Sequence, residues 1–365
     1  MNKKIKTLIA VGGTGGHVFP GCNLASHLND QNYKVKIVSD LRGSKYLNQY
    51  QNFDISILPS SPLILKNPIS MLLSLGIMFY SILRSLIFLI FNRPKLVFGM
   101  GGYASFPICI AAYILNIKFI VYENNLVIGK ANKYLLPFAY KIFVSNKNLE
   151  GISKKYQNKA FEIGNIIKKE IINFSNNNKN KKDSKKMNIL VLGGSQAAEI
   201  FADKLPEIFV SCSREGMKLK IFQHCLPNQN KKLISIYKRN NIESELFNFS
   251  NNLNEYFSKT NLAITRSGSS VLAELTNANI PFICVPLPSS ADKHQLKNAT
   301  FYEKRNLAFL VEEEKISNKL QNLIKEFYYN ASILENIINN QSQYSDKNVY
   351  KNIDHILKKI TNEKN

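Results

Sequence analysis

Two glycine-rich turns, each set between an apolar run and a helical pattern, constrain this chain more than any other feature. The first is Val11-Gly12-Gly13-Thr14-Gly15-Gly16-His17, after the run Thr7 to Val11; the second is Leu192-Gly193-Gly194-Ser195-Gln196, after Ile189 to Leu192. A buried parallel strand that feeds such a turn and then a helix leaves backbone N–H groups open beside the positive end of the helix dipole. That combination is an anion site. The turns lie 181 residues apart (193 minus 12), which predicts two similar α/β halves facing a shared cleft and points to a phosphorylated substrate.

The rest of the chain repeats the scheme. Strands are expected at Thr7–Val11, Lys34–Val38, Ile55–Leu58, Leu96–Gly99, Phe119–Tyr122 and Lys141–Val144, with helical runs such as Phe19–Asn29 and Ile69–Phe91 between them. A second series is expected at Asn188–Leu192, Lys218–Phe222, Glu245–Phe249, Leu262–Thr265, Phe282–Val285 and Phe309–Val311. Alternation of this kind argues for parallel, doubly wound sheets. The polar, basic stretch Ser175 to Lys186 reads as a solvated loop, so the boundary is placed just upstream. The expected division is residues 1–163, residues 164–345, and a last helix in 346–365 that crosses back onto the first half.

With 365 residues and 45% hydrophobic content, each half can bury its own core. A net charge of +22 implies anionic partners or a composition bias in Lys-rich loops. Nucleic acid is disfavoured, since the basic residues are scattered and no zinc spacing or RNA-binding aromatic signature occurs. The five cysteines contain no C-x-x-C pair and read as reduced residues of a cytosolic protein rather than a metal site. Met1-Asn2-Lys3-Lys4 runs straight into a strand that the first turn requires, which speaks against a cleaved leader.

The segment from Pro68 to Phe91 is almost wholly apolar, broken only by Arg84 and bordered by Lys66, Arg93 and Lys95. Three readings are open: a spanning helix, long enough for a bilayer; a buried helix pair; or a membrane-surface face whose basic border meets anionic headgroups.

Several strand ends carry candidate chemistry. A dinucleotide turn would read G-x-G-x-x-G with an acid about 20 residues on; here the pattern is G-G-x-G-G-H, and only Asp40 mimics that acid. His17 either caps its helix or acts as a base, because the helix's positive end disfavours the imidazolium. Gly99-Met100-Gly101-Gly102-Tyr103-Ala104-Ser105 lies at a strand's carboxyl end and offers two hydroxyls. Tyr122-Glu123-Asn124-Asn125 supplies an acid and two amides suited to hydroxyl-rich ligands. Arg266-Ser267-Gly268-Ser269-Ser270 opens a helix that could take a phosphate, and Glu274 two turns in could hold the vicinal hydroxyls of a ribose. The loop after Phe282 to Leu287 carries Asp292, His294, Gln295 and Asn298.

The ordered set G-G-T-G-G-H-V-F-P, G-M-G-G-Y, E-N-N, G-N, G-G-S-Q, R-S-G and D-x-H-Q, from residue 8 to about residue 300, resembles the MurG family of peptidoglycan N-acetylglucosaminyltransferases. The resemblance implies a GT-B fold, two Rossmann-like domains with an interdomain cleft. It also implies inverting transfer of N-acetylglucosamine from UDP-N-acetylglucosamine to the C4 hydroxyl of the N-acetylmuramoyl unit of lipid I, giving lipid II. The site would be the cytoplasmic face of the bacterial inner membrane, with the enzyme bound peripherally to an anionic surface, and with cell-wall synthesis proteins as further partners. No cofactor and no metal is expected. On the second half Gly194, Ser195 and Gln196 would approach the diphosphate and sugar, Arg266, Ser267 and Gly268 would line the same pocket, and Glu274 would hold the ribose. The backbone near Phe249 would meet the uracil, and His294 and Gln295 the sugar hydroxyls. On the first half Thr14, Gly15, His17, Tyr103, Glu123 and Asn125 would surround the acceptor, joined by Gly13 and Ser105. Thr14, Gly15, Gly16, Asn125 and Lys168 would also reach the donor. His17 is the candidate base, with Glu123 second.

Three positions depart from the family pattern. Lys168 stands where Arg is common after Gly164-Asn165, which turns a bidentate clamp into a point charge. Asn124 is a shorter amide than the usual Gln, and Ala197-Ala198 replaces a run in which Gly is frequent. Two other readings share these features: a different GT-B enzyme acting on a UDP-sugar (a glycolipid synthase or an epimerase), and a non-catalytic nucleotide-sugar-binding membrane protein.

Overall fold

The computed structural model describes residues 4–62, 67–174, 186–194, 199–248 and 253–362. They divide into two compact units, one comprising Met1–Lys168 with Lys347–Asn365, the other Lys169–Asp346.

In the first unit, β1 (Lys6–Ala10), β2 (Lys34–Ser39), β3 (Asp54–Ile57), β4 (Leu96–Gly99), β5 (Lys118–Glu123), β6 (Lys141–Val144) and β7 (Ala160–Glu162) form a parallel sheet in the order β3-β2-β1-β4-β5-β6-β7. Helices α1 (Gly15–Asp30), α2 (Pro68–Asn92), α3 (Gly102–Ile114) and α4 (Lys130–Leu135) alternate with the strands. The strand centres, such as Leu8, Ile9, Val97, Phe98, Ile120 and Val121, are buried, as both faces of a parallel sheet covered by helices require. This order reverses direction at β1 and β4. The loops after β2, β1 and β4 are therefore neighbours at the carboxyl edge, where such sheets place their ligands. The sequence pattern missed β7, a three-residue edge strand whose residues are at best half-buried.

In the second unit, β8 (Lys186–Leu192), β9 (Lys218–His224), β10 (Glu243–Phe247), β11 (Leu262–Thr265), β12 (Phe282–Cys284) and β13 (Phe309–Leu310) pair in parallel in the order β10-β9-β8-β11-β12-β13. Its helices are α5 (Lys169–Ile172), α6 (Glu199–Arg214), α7 (Asn230–Arg239), α8 (Leu253–Phe257), α9 (Ser269–Asn277), α10 (His294–Glu303), α11 (Ile316–Tyr329) and α12 (Ala331–Gln343). A continuous core, from Met187 and Phe209 to Leu320 and Phe327, joins the sheet to α6, α7 and α11.

Helix α13 (Val349–Asn362) belongs to the first unit. It buries Val349, Tyr350, Ile353, Leu357 and Ile360, and each such aliphatic residue contributes about 1.5–3 kcal/mol. Tyr350 Oη donates to Ile167 O at 2.6 Å, Asn352 Nδ2 donates to Ile163 O at 3.2 Å, and the His27 ring meets Asp354 Oδ1 at 2.8 Å. These contacts explain why the first unit runs on to Lys168 rather than ending at residue 163. Residues 163–167 are held by α13, and Ile166 N also donates to Tyr122 Oη.

Helix α2 is inverted relative to an ordinary surface helix. It buries Ser74, Ser81 and Ser85 with Met78 and Leu89, while Ile69, Leu72, Leu73, Phe79 and Phe91 face outward. The buried hydroxyls cost little, because each donates within the helix: Ser74 to Met71 O, Ser81 to Ile77 O and Ser85 to Ser81 O, at 3.0, 2.7 and 2.8 Å. The helix is long and apolar enough to cross a membrane, yet β3 and β4 tie both its ends to one sheet. The buried-pair reading is thereby overturned, since most of the apolar side chains are exposed.

Candidate functional site

The helix starts at the carboxyl edges divide into two kinds. Helix α2 is closed by a capping box, with Ser70 N donating to Asn67 Oδ1 at 2.7 Å and Asn67 N to Ser70 Oγ at 3.2 Å. The starts of α1, α3 and α9 lack this. Thr14 makes no side-chain cap bond, and Gly101 and Gly268 have no side chain to make one. The first N–H groups of a helix turn to loops, side chains or ligands; at α1 those of Thr14 and His17 already donate to Gly12 O and Thr14 O, each at 3.0 Å. Uncapped starts at the ligand edge are therefore where the chain leaves room for anions or hydroxyls.

In the first unit, His17 lies in the first turn of α1. Its Nδ1 is 3.0 Å from Met100 O. A carbonyl only accepts, so Nδ1 carries the proton and the lone pair of the neutral ring is on Nε2. The ring packs on Gly101 and Gly102, where an added Cβ at Gly101 would lie 2.9 Å from Nδ1. Gly101 also holds φ at +91°, so glycine is required there twice over.

Glu123, the second candidate base, is 2% exposed and saturated by N–H donors. Oε1 accepts from Asn125 N at 3.1 Å and Asn125 Nδ2 at 3.0 Å; Oε2 accepts from Gly129 N at 2.8 Å and Asn132 Nδ2 at 3.0 Å. Four donors fill the four acceptor positions of a carboxylate. Glu123 therefore organises the loop, and proton abstraction would have to break that network. Asn125 likewise spends its amide on Glu123 and on Asn124 Oδ1.

Asn124 solves a local problem. Pro20 sits inside α1 and cannot donate to the carbonyl four residues back. That carbonyl, Gly16 O, accepts from Asn124 Nδ2 at 3.1 Å. One motif thus completes the backbone of another 108 residues away.

Tyr103 and Ser105 were both expected to face the acceptor. Tyr103 Oη donates to Asp40 Oδ2 at 2.9 Å, and burial followed by this bond pushes its phenol above the ordinary value. Ser105 is fully buried in α3 and donates to Gly102 O at 3.1 Å, so it presents no hydroxyl at the surface. The Gly13 amide is also taken, by Asp40. Thr14, Gly15 and Gly16 remain at the open start of α1, and Lys168 is the last residue of the unit's main segment.

In the second unit, Gly194 lies two residues past the end of β8, with φ at +78°; Ser195, Gln196 and Phe249 lie outside the described residues. Arg266 is not a free phosphate clamp. It is 8% exposed, ion-paired to Glu313, and bonded through Nη1 to Val285 O at 3.2 Å and Pro286 O at 3.4 Å. Its guanidinium also lies 5.1 Å from the Phe201 ring centroid. Gln295 Oε1 accepts from Ser267 N at 3.2 Å and Leu287 N at 2.9 Å, and Asn298 Nδ2 donates to Ser267 O at 3.1 Å. Ser267 is consequently buried and held by α10, and Gln295 has only its amide nitrogen for a ligand. Gly268 occupies the N-cap position of α9 without a side-chain bond, and Glu274 is half-buried along the helix.

The loop before α10 is strained. Asp292 and Lys293 take φ of 50° and 54° in succession, at about 1–3 kcal/mol each. This turn delivers His294, whose Nδ1 donates to Ala291 O at 2.7 Å and so leaves Nε2 as the acceptor. At the ends of β9 and β10, the His224 ring stacks on Phe247 at 5.6 Å, and Phe247 on Tyr256 at 4.5 Å. Burial holds the His224 imidazole below its ordinary pKa. Sequence reasoning missed the Met100 carbonyl, Asn132 and Glu313, whose roles depend on partners far along the chain. It read Asp40 only as a ribose-binding mimic.

Residues 7–144 match the glycosyltransferase family 28 N-terminal domain, and residues 188–356 the C-terminal domain of the same family. The UDP-N-acetylglucosamine--N-acetylmuramyl-(pentapeptide) pyrophosphoryl-undecaprenol N-acetylglucosamine transferase of Pelagibacter ubique is 36% identical over 370 residues, covering 100% of both chains. The enzyme of the same description from Rickettsia bellii is 33% identical over 339 residues, covering 92% of this chain and 94% of its own. The crystal structure of Acinetobacter baumannii MurG superposes with a TM-score of 0.76 at 22% identity, covering 97% and 99%, and so shares the GT-B fold. This chain belongs to glycosyltransferase family 28 and, within it, to the MurG N-acetylglucosaminyltransferases.

Proposed function

We propose that this enzyme transfers N-acetylglucosamine from UDP-N-acetylglucosamine to the C4 hydroxyl of the N-acetylmuramoyl unit of lipid I, with inversion, to give lipid II. The observation that carries the mechanism is His17, with its proton fixed on Nδ1 by Met100 O beside the open start of α1. The acceptor hydroxyl gives its proton to Nε2, its oxygen forms the new bond to the anomeric carbon, and UDP departs with the electron pair of the broken C–O bond. A positioned base contributes about 10²–10⁴-fold. In the second unit Gly268, at the start of α9, approaches the leaving diphosphate, and Glu274 holds the ribose. Arg266 serves by fixing the loop between β12 and α10, and Lys168, the last residue of the first unit's main segment, adds positive charge for the diphosphate. The test uses the full chain with UDP-N-acetylglucosamine and a lipid I analogue: disaccharide-lipid product supports the reading. UDP release with diacylglycerol in place of lipid I, or no release with either, would refute it.

The inverted α2 supports docking at the cytoplasmic face of the inner membrane. Its outward side chains enter the headgroup boundary, and Arg84, Arg93 and Lys95 meet anionic headgroups. Binding to anionic vesicles should exceed binding to neutral ones and weaken with salt; Phe79→Gln should weaken both. Equal partition onto the two vesicle types would remove the electrostatic part.

A further inference from the structure

The first glycine turn carries a feature at odds with a simple anion nest: a buried carboxylate stands inside it. Asp40 follows β2 and is 3% exposed. Its Oδ1 accepts from Gly13 N at 2.9 Å and from Gly43 N at 2.8 Å, and its Oδ2 accepts from Tyr103 Oη at 2.9 Å. One side chain therefore joins three loops, those after β1, β2 and β4, which the strand order makes neighbours. The approach is close: a Cβ on Gly12 would lie 2.6 Å from Asp40 Oδ1, and one on Gly43 2.9 Å from it.

Two consequences follow. The Gly13 amide is already engaged by a negative group, so a ligand phosphate is excluded from it by both occupancy and charge. Any anion is directed to the amides of Gly15 and Gly16 at the start of α1. The second consequence concerns the base. Gly13 is joined through Thr14 to the helix that carries His17, and Tyr103 stands beside the Gly101-Gly102 turn on which the His17 ring rests.

We propose that Asp40 is a positioning residue for the acceptor side of the reaction, fixing the first glycine turn and the first turn of α3 so that His17 and the open start of α1 hold a common geometry. The assignment of that side to the acceptor rests on the function proposed above. Asp40→Ala removes the tie, whereas Asp40→Asn keeps an oxygen for both glycine amides and can donate to the Tyr103 oxygen.

The experiment compares the full-length wild type, Asp40→Ala, Asp40→Asn and Tyr103→Phe. It measures amide hydrogen exchange over residues 9–18 and 40–46, and kcat and KM for lipid I analogue and UDP-N-acetylglucosamine separately. Asp40→Ala should speed exchange in both segments and lower kcat/KM for the acceptor by about 10²-fold, the order that a misplacement near 1 Å produces. The donor KM should change much less than the acceptor value. Asp40→Asn should restore most of the acceptor value and the slow exchange, and Tyr103→Phe should fall between. Exchange and acceptor kinetics of Asp40→Ala equal to the wild type would overturn the inference. So would an equal loss for both substrates with no rescue by Asn. Failure of the functional reading itself looks different: the wild type forms no product, while the exchange data still report whether Asp40 holds the loops.

Discussion

Arg266 offers the sharpest separation between a scaffold and a ligand. Replacing it by Ala removes two hydrogen bonds to backbone carbonyls, at about 1 kcal/mol each. It also removes a cation–π contact of about 1 kcal/mol and leaves Glu313 without its partner. Breaking a buried pair costs about 3–5 kcal/mol in total. The Glu313 side chain is 24% exposed, so part of its charge can be rehydrated and the lower end of that range applies to the pair. With the pair at about 3 kcal/mol, the two hydrogen bonds and the cation–π contact bring the loss to about 6 kcal/mol, roughly 12–24 °C in the melting midpoint of a unit of this size. The assay is urea and thermal unfolding of the full chain followed by a second-unit signal, alongside the donor KM at a temperature where both proteins are folded. Arg266→Ala should be strongly destabilised, and Glu313→Gln should reproduce much of that loss. A variant within about 1 kcal/mol of wild-type stability, but with a greatly raised donor KM, would refute the scaffold reasoning and return Arg266 to the diphosphate.

Asn124 and Pro20 should be coupled: Asn124→Ala alone is expected to cost about 1 kcal/mol. In a Pro20→Ala background the restored N–H can reach Gly16 O, and the same change should cost less; an additive cycle would dismiss the compensation. His224 should make the second unit sensitive to acid. Burial lowers its folded pKa below the unfolded value near 6.5, so the folded state binds fewer protons. The stability it contributes is complete above about pH 6.5 and is lost as pH falls through that value toward the folded pKa. His224→Gln should flatten the fall in urea midpoint between about pH 7 and pH 5, and an unchanged slope would count against it.

The strands were legible because a parallel sheet buried on both faces demands apolar runs, and Thr7 to Val11 or Leu262 to Thr265 admit little else. The β7 edge strand was not legible, since two half-buried residues and one exposed one carry no such demand. The length of α2 was plain in the sequence but its orientation was not. A segment apolar almost throughout has no polar stripe to mark a face, and the informative residues were the serines at 74, 81 and 85, which turn inward. The motifs located the ligand edges, yet residue type did not reveal how each side chain is spent. Glu123, Arg266, Gln295 and Ser105 all carry suitable chemistry and give most of it to the protein itself. Asp40 and Asn124 show the converse, ordinary loop residues whose importance depends on backbone groups of distant segments.

The central claim is that His17, with its proton fixed on Nδ1, takes the acceptor's proton on Nε2. The most direct measurement is the single-turnover rate of transfer to a lipid I analogue with saturating UDP-N-acetylglucosamine, for wild type and His17→Ala. A fall of about 10²–10⁴-fold, with the donor affinity retained, is the predicted result. A rate within a few-fold of wild type would contradict the account.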